Sequence, residues 1–125
     1  MTKVLIIEDD LAYRKVYTRK FEAAGFTVEA AENGTVGIEK ARSFRPDIIL
    51  TDLMMPQMDG FQVLDTLKGD VELKDIPVVV LSNLSTSEDA QKVMGKGAEG
   101  LLVKSDTEPQ TIVEKAIEVI AAHKK

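Results

Sequence analysis

The sequence predicts an α/β domain in which five parallel strands form one sheet covered by helices on both faces. Five short runs rich in Val, Ile and Leu recur at residues 4–7, 27–31, 48–51, 78–82 and 101–103. Stretches with helical spacing lie between them, and Gly, Pro and Asn mark the boundaries. Runs that are apolar throughout, instead of alternating with polar residues, belong to strands buried on both faces, as in a parallel sheet.

Taken in order, the first run ends at three acids, Glu8, Asp9 and Asp10. Tyr13, Val16, Tyr17, Phe21 and Ala24 then fall at the three- and four-residue separations of one apolar helix face, and Gly25 closes that helix. Asn33-Gly34 opens the second helix, Pro46 precedes the third strand and Pro77 the fourth. In the last segment Ile112, Val113, Ala116, Ile117 and Ile120 make the apolar stripe, which leaves Val119 as a candidate for a partner surface. Right-handed crossovers leave few topologies for five such units. The natural one is the flavodoxin-like strand order 2-1-3-4-5, which binds ligands outside the carboxyl ends of the strands, near the switch between strands one and three.

Composition narrows the chemistry. The 125 residues fit one domain, 1–125, and the 44% hydrophobic and 30% charged fractions are those of a chain with a real core. A net charge of −5 disfavours direct binding to nucleic acid, which needs clustered positive charge. With no cysteine and one histidine, disulfides, thiolate nucleophiles and His- or Cys-based metal sites are excluded, so any metal is held by oxygen. The opening MTKVLIIEDD is too short and too acidic for a signal peptide, and no apolar run approaches a membrane span. A soluble, cytoplasmic protein is expected.

Polar groups appear where the apolar runs stop: Glu8, Asp9 and Asp10 after strand one, Asp52 after strand three, Ser82 at the end of strand four, Lys104 after strand five. Taken singly, Asp9 or Asp10 could be a helix cap, Ser82 a turn hydroxyl and Lys104 a solvated charge. Together they gather at one sheet edge. Two carboxylates about 5 Å apart repel by roughly 3 kcal/mol at an effective dielectric of about 20. Such a cluster takes up a proton or a cation, and an oxygen-only donor set suits Mg²⁺. Lys104 adds a second positive charge, suited to a phosphoryl oxygen or to Asp52.

The segments VLIIEDD, PDIILTDLMMPQMDG, PVVVLS and GAEGLLVK, in this order and spacing, resemble the receiver domain of two-component response regulators over essentially the whole chain, in its stand-alone, chemotaxis-regulator form. The resemblance implies that Asp52 accepts a phosphoryl group from a phosphohistidine on a partner kinase or phosphotransfer protein. It implies that Asp9 binds Mg²⁺, with Glu8 acting directly or through water and the backbone carbonyl of Met54 completing the protein ligands. Ser82 would hydrogen-bond the phosphoryl group and Lys104 would pair with another of its oxygens, while Asp10 would be secondary. Gly60 would begin the third helix, after a loop from Pro56 to Asp59. The protein would thus catalyse its own modification without being a turnover enzyme. It would signal to a downstream protein through the surface of helix four, strand five and helix five.

Several positions depart from the family pattern. Leu101 stands where a Tyr or Phe usually switches rotamer, and Ser105 follows the lysine where Pro, often after a cis bond, is usual. A non-proline cis bond costs about 2.5 to 4 kcal/mol, so a trans bond is expected. Asn83 could contact the phosphoryl group or only shape the loop. Met54 and Leu84, at the positions that tune hydrolysis, are apolar and cannot orient a water, which implies a long-lived phosphoryl group. Among groups easily overread, His123 is expected to be a solvated cation complementing the last helix dipole, and Met54, Met55 and Met58 to pack the loop. A pseudo-receiver acting only as an interaction module is the competing reading, opposed by the complete set Glu8, Asp9, Asp52, Ser82 and Lys104. A flavin carrier is opposed by the acidic loop after strand one, and an Asp-x-Asp hydrolase by the missing second acid after Asp52.

Overall fold

Val4 and Ile6 pack with Tyr17, Phe21, Ile112, Val113 and Ala116, whereas Leu5 and Ile7 pack with Ile38, Ala41, Val63 and Leu64. Consecutive residues of a strand point to opposite faces, so a strand with helices above and below must be apolar at every position. The computed structural model, which describes residues 2–83 and 86–123, builds this arrangement in its three central strands. The elements run β1 (Lys3–Ile7), α1 (Leu11–Ala23), β2 (Thr27–Ala31), α2 (Gly34–Phe44), β3 (Ile48–Asp52), α3 (Gly60–Lys68), β4 (Val78–Ser82), α4 (Ser87–Gly95), β5 (Gly100–Val103) and α5 (Pro109–His123). All strand pairs are parallel and the order is β2-β1-β3-β4-β5, as the sequence predicts. The core packed by α1 and α5 lies on one face of the sheet, and that packed by α2, α3 and α4 on the other.

Helix starts are set by local chemistry. Asp10 Oδ1 accepts from the Tyr13 amide at 3.1 Å and Asn33 Oδ1 from the Val36 amide at 2.9 Å, each satisfying a donor that the helix leaves unpaired. Capping boxes open α3, through Asp59 and Gln62, and α4, through Thr86 and Asp89. Gly25, with φ of 94°, carries the chain from α1 into β2 in a conformation that favours glycine.

Four sequence expectations need correction. Val16 is 43% exposed, because at about 100° per residue it sits off the arc holding Tyr17 and Phe21; Ala24 is exposed beyond the helix end. In α5 Val119 is buried, at 5%, and Ile117 is half exposed, at 50%: the arc through Ile112, Ala116 and Ile120 includes residue 119 and leaves 117 at its rim. The edge strands β2 and β5 are half-buried along most or all of their length, not covered on both faces, because each has a neighbouring strand on one side only. His123 is exposed but tied down, its Nε2–H donating to the Asp75 carbonyl at 2.9 Å. Leu84, Lys124 and Lys125 lie outside the described residues.

Gly60 fixes how closely α3 approaches the end of β3. A Cβ there would lie 2.7 Å from the Asp52 carbonyl oxygen and 2.8 Å from Leu53 Cα, while the Gly60 amide donates to the Leu53 carbonyl at 2.8 Å. Gly60→Ala is expected to destabilise the fold by about 1–3 kcal/mol in urea denaturation, because backbone must move. Gly95→Ala, where nothing lies within 4 Å, is expected to be neutral or to stabilise by up to about 1 kcal/mol.

Candidate functional site

The parallel register delivers the polar groups to one edge. Glu8 follows β1 directly and its amide donates to the Ala31 carbonyl at 3.0 Å, so the residue stays in line with the sheet and is fully buried. Its Oε2 accepts from the Asp10 amide at 3.0 Å, and its carbonyl accepts from Arg14 Nη1 at 2.9 Å. Asp52 is the last residue of β3, paired in register with Leu81, which places Ser82 one step further along the neighbouring strand. Both are buried. Lys104 begins a 3₁₀ turn, Lys104–Asp106, at the end of β5 and is itself buried.

One carboxylate oxygen each from Glu8, Asp9 and Asp52 lies within 4.8 Å of the others. Lys104 Nζ lies 2.5 Å from Glu8 Oε1 and 3.1 Å from Asp52 Oδ2. Three carboxylates and one ammonium leave two negative charges in excess. The consequence falls on Asp52, whose pKa is pushed up to about 7 by burial first and by the Glu8 charge second; Lys104 opposes both, and a contact from the Asp9 carboxyl adds to the rise. Burial alone would lower the Lys104 pKa, but the close contact with Glu8 and the charges of Asp52 and Glu8 outweigh it and the net shift is upward. Lys104 is therefore a fixed positive charge.

The donor set fits a hard divalent cation. It is oxygen-only and two charges short of neutral, and Glu8 Oε1, although beside the Lys104 ammonium, has no aligned hydrogen bond. Among the described residues this is the His, Cys, Asp or Glu cluster able to hold a metal ion.

Glu8, Asp9, Asp52 and Lys104 thus come together, with Ser82 on the adjoining strand end. Asp10 belongs to the helix cap instead. Met54 lies two residues past Asp52 with its side chain 68% exposed, so it does not pack the loop as expected; Met55 is buried and Met58 lies against Gly34. Leu101 packs partly buried on the core of α2, α3 and α4. Asn83 is exposed, and no peptide bond among the described residues is cis, so the Lys104–Ser105 bond is trans. Tyr13 packs partly buried at the edge of the core of α1 and α5, as its place on the apolar stripe predicts, but sequence reasoning missed its second contact: its ring centre is 4.5 Å from Lys104 Nζ. The available signal was its place in the first turn after the Asp10 cap, at the same sheet edge as the acids.

This geometry has known counterparts. The model of the response regulator receiver domain matches residues 4–117. The polar-differentiation response regulator DivK of Brucella anthropi is 32% identical over 109 residues, 87% of this chain and 89% of DivK. The DNA-binding dual master transcriptional regulator RpaA of a Synechocystis strain is 38% identical over 104 residues, 83% of this chain; the match spans only 43% of RpaA. The structure of the Vibrio cholerae chemotaxis protein CheY4 superposes with a TM-score of 0.89 at 31% identity, covering 95% of this chain and 98% of CheY4. With fold, strand order and sequence in agreement along nearly its whole length, the chain belongs to the response regulator receiver domain family.

Proposed function

We propose that this chain is a phosphoacceptor switch in two-component signalling, with residues 1–125 acting as one receiver unit and Asp52 as the phosphorylated residue. The observation that carries the proposal is the placement of Asp52: buried at a strand end, crowded by two other carboxylates and paired with a buried lysine. A carboxylate so placed has its nucleophilic oxygen beside the charges that a phosphoryl group needs.

In the proposed transfer an Asp52 carboxylate oxygen bonds to phosphorus as the phosphorus–nitrogen bond of a partner's phosphohistidine breaks. The electron pair leaves on the imidazole nitrogen, which takes up a proton, and the product is an acyl phosphate. Such transfers pass through a loose, anionic transition state, so the protein contributes positioning and charge. Lys104 holds a positive charge at one phosphoryl oxygen, and the Ser82 hydroxyl donates to another. Glu8, Asp9, Asp52 and the Met54 carbonyl would hold Mg²⁺, which when bound neutralises charge on the carboxylates and the phosphoryl oxygens. A bond gained by Ser82 biases the loop between β4 and α4, and the change reaches the face formed by α4, β5 and α5, where a downstream protein would bind. With Leu101 in the aromatic position, that coupling runs through packing, where Leu101 meets the core of α2, α3 and α4, or through the loop backbone. The partners are a sensor histidine kinase or phosphotransfer protein and a downstream protein. Among the described residues no helix is long and apolar enough to cross a membrane, which agrees with a proposed cytoplasmic site of action.

Incubation with acetyl phosphate and Mg²⁺ is expected to add one phosphoryl group by intact mass, and Asp52→Asn is expected to add none. An unmodified wild-type chain would favour the pseudo-receiver reading. Met54→Asn places a polar group two residues from the acyl phosphate and is expected to speed its hydrolysis several-fold, measured by loss of the added mass.

The raised Asp52 pKa also has a sign in stability. Between the ordinary value of 3.8 and about 7 the folded chain holds a proton that the unfolded chain has released, so Asp52 lowers stability progressively as pH rises through that window. Without divalent cation, Asp52→Asn is expected to stabilise the chain by up to about 4 kcal/mol at pH 8 and to have little effect at pH 4, measured by urea denaturation.

A further inference from the structure

The buried Lys104 ammonium has a third neighbour besides Glu8 and Asp52. It lies 4.5 Å from the centre of the Tyr13 ring, inside the range of about 6 Å at which an aromatic face attracts a cation. Tyr13 is itself well anchored: its amide is bound to Asp10 Oδ1 at 3.1 Å, and its ring stacks on the buried Tyr17 at 5.6 Å with planes 24° apart. Out of water, the attraction is not screened away. A ring also differs from a carboxylate in kind. It holds the ammonium without accepting a strong hydrogen bond, so it does not compete with an incoming phosphoryl oxygen for the lysine's donors.

We propose that Tyr13 is a positioning residue for Lys104, holding the ammonium beside Asp52 so that it can pass from Asp52 to a phosphoryl oxygen. The proposal rests on reading Asp52 as the phosphoacceptor. Tyr13 is half-buried and lines one cleft of about 240 Å³ together with Lys104, Asp10, Tyr17 and Pro109.

The test is a double-mutant cycle with an optical readout. Phosphorylation by acetyl phosphate with Mg²⁺ is followed by mass in the wild type, Tyr13→Phe, Tyr13→Leu, Lys104→Met and the Tyr13→Leu/Lys104→Met double variant. Tyr13→Leu is expected to slow modification about 3- to 10-fold, and Tyr13→Phe, which keeps the ring, to stay within about two-fold. In the Lys104→Met background Tyr13→Leu is expected to cost nothing further. An unchanged rate in Tyr13→Leu, or an equal loss with and without Lys104, overturns the proposal. The chain has two tyrosines and no tryptophan, so Tyr17→Phe leaves Tyr13 as the emitter. Its tyrosine fluorescence is expected to change on phosphorylation and to lose that change with Lys104→Met. This second readout decides the matter if Tyr13→Leu fails to fold, and a silent signal overturns the proposal. A wild-type chain that gains no phosphoryl group is a different failure, of Asp52 as acceptor.

Discussion

A lysine ammonium closed in with two buried carboxylates, with a third beside them, is the interaction on which the site depends. Lys104 meets Glu8 and Asp52 at hydrogen-bonding distances where little water reaches. Removing the lysine would leave the buried carboxylates uncompensated, a loss of about 3–5 kcal/mol in typical buried pairs, whereas removing Asp52 leaves the lysine paired with Glu8. The arrangement is nevertheless incomplete, because one cation cannot balance three anions. Burial first and that imbalance second lift Asp52 toward neutral pH, and the imbalance gives the site its appetite for further positive charge.

The fold supplies this arrangement through backbone alone. Parallel strands point all their carboxyl ends one way, so residues separated by more than 90 positions, Glu8 and Lys104, meet without a long loop between them. Helix caps and close approaches then hold the loops. Asp10 starts α1 while its amide binds Glu8, and Gly60 lets α3 begin against the Asp52 carbonyl. The same residues that begin helices therefore fix the acids, which links the stability of the edge to the geometry of the site.

Most of this is legible in the amino-acid sequence. Apolar runs of three to five residues, each followed by a polar group, specify both the parallel sheet and the edge where those groups collect. Glu8, Asp9, Asp52, Ser82 and Lys104 could be named because chemistry-bearing residues stand out where such a run ends. Positions on helix rims were harder. Val16, Ile117 and Val119 differ from their neighbours by a fraction of a turn, and only packing against a particular partner decides which side becomes core. Tyr13 escaped for a related reason: an aromatic residue on an amphipathic helix has the same pattern whether it fills a core or covers a lysine.

The central claim is that crowding of Glu8, Asp9 and Asp52 is relieved by a divalent cation at the expense of a proton. Calorimetric titration of Mg²⁺ into the chain at pH 7, repeated in buffers of different ionisation enthalpy, measures that exchange directly. The Asp52 pKa of about 7 predicts saturable binding with release of about half a proton per ion, declining toward zero above pH 8.5. Binding without proton release at pH 7, or no saturable binding at all, would contradict the account.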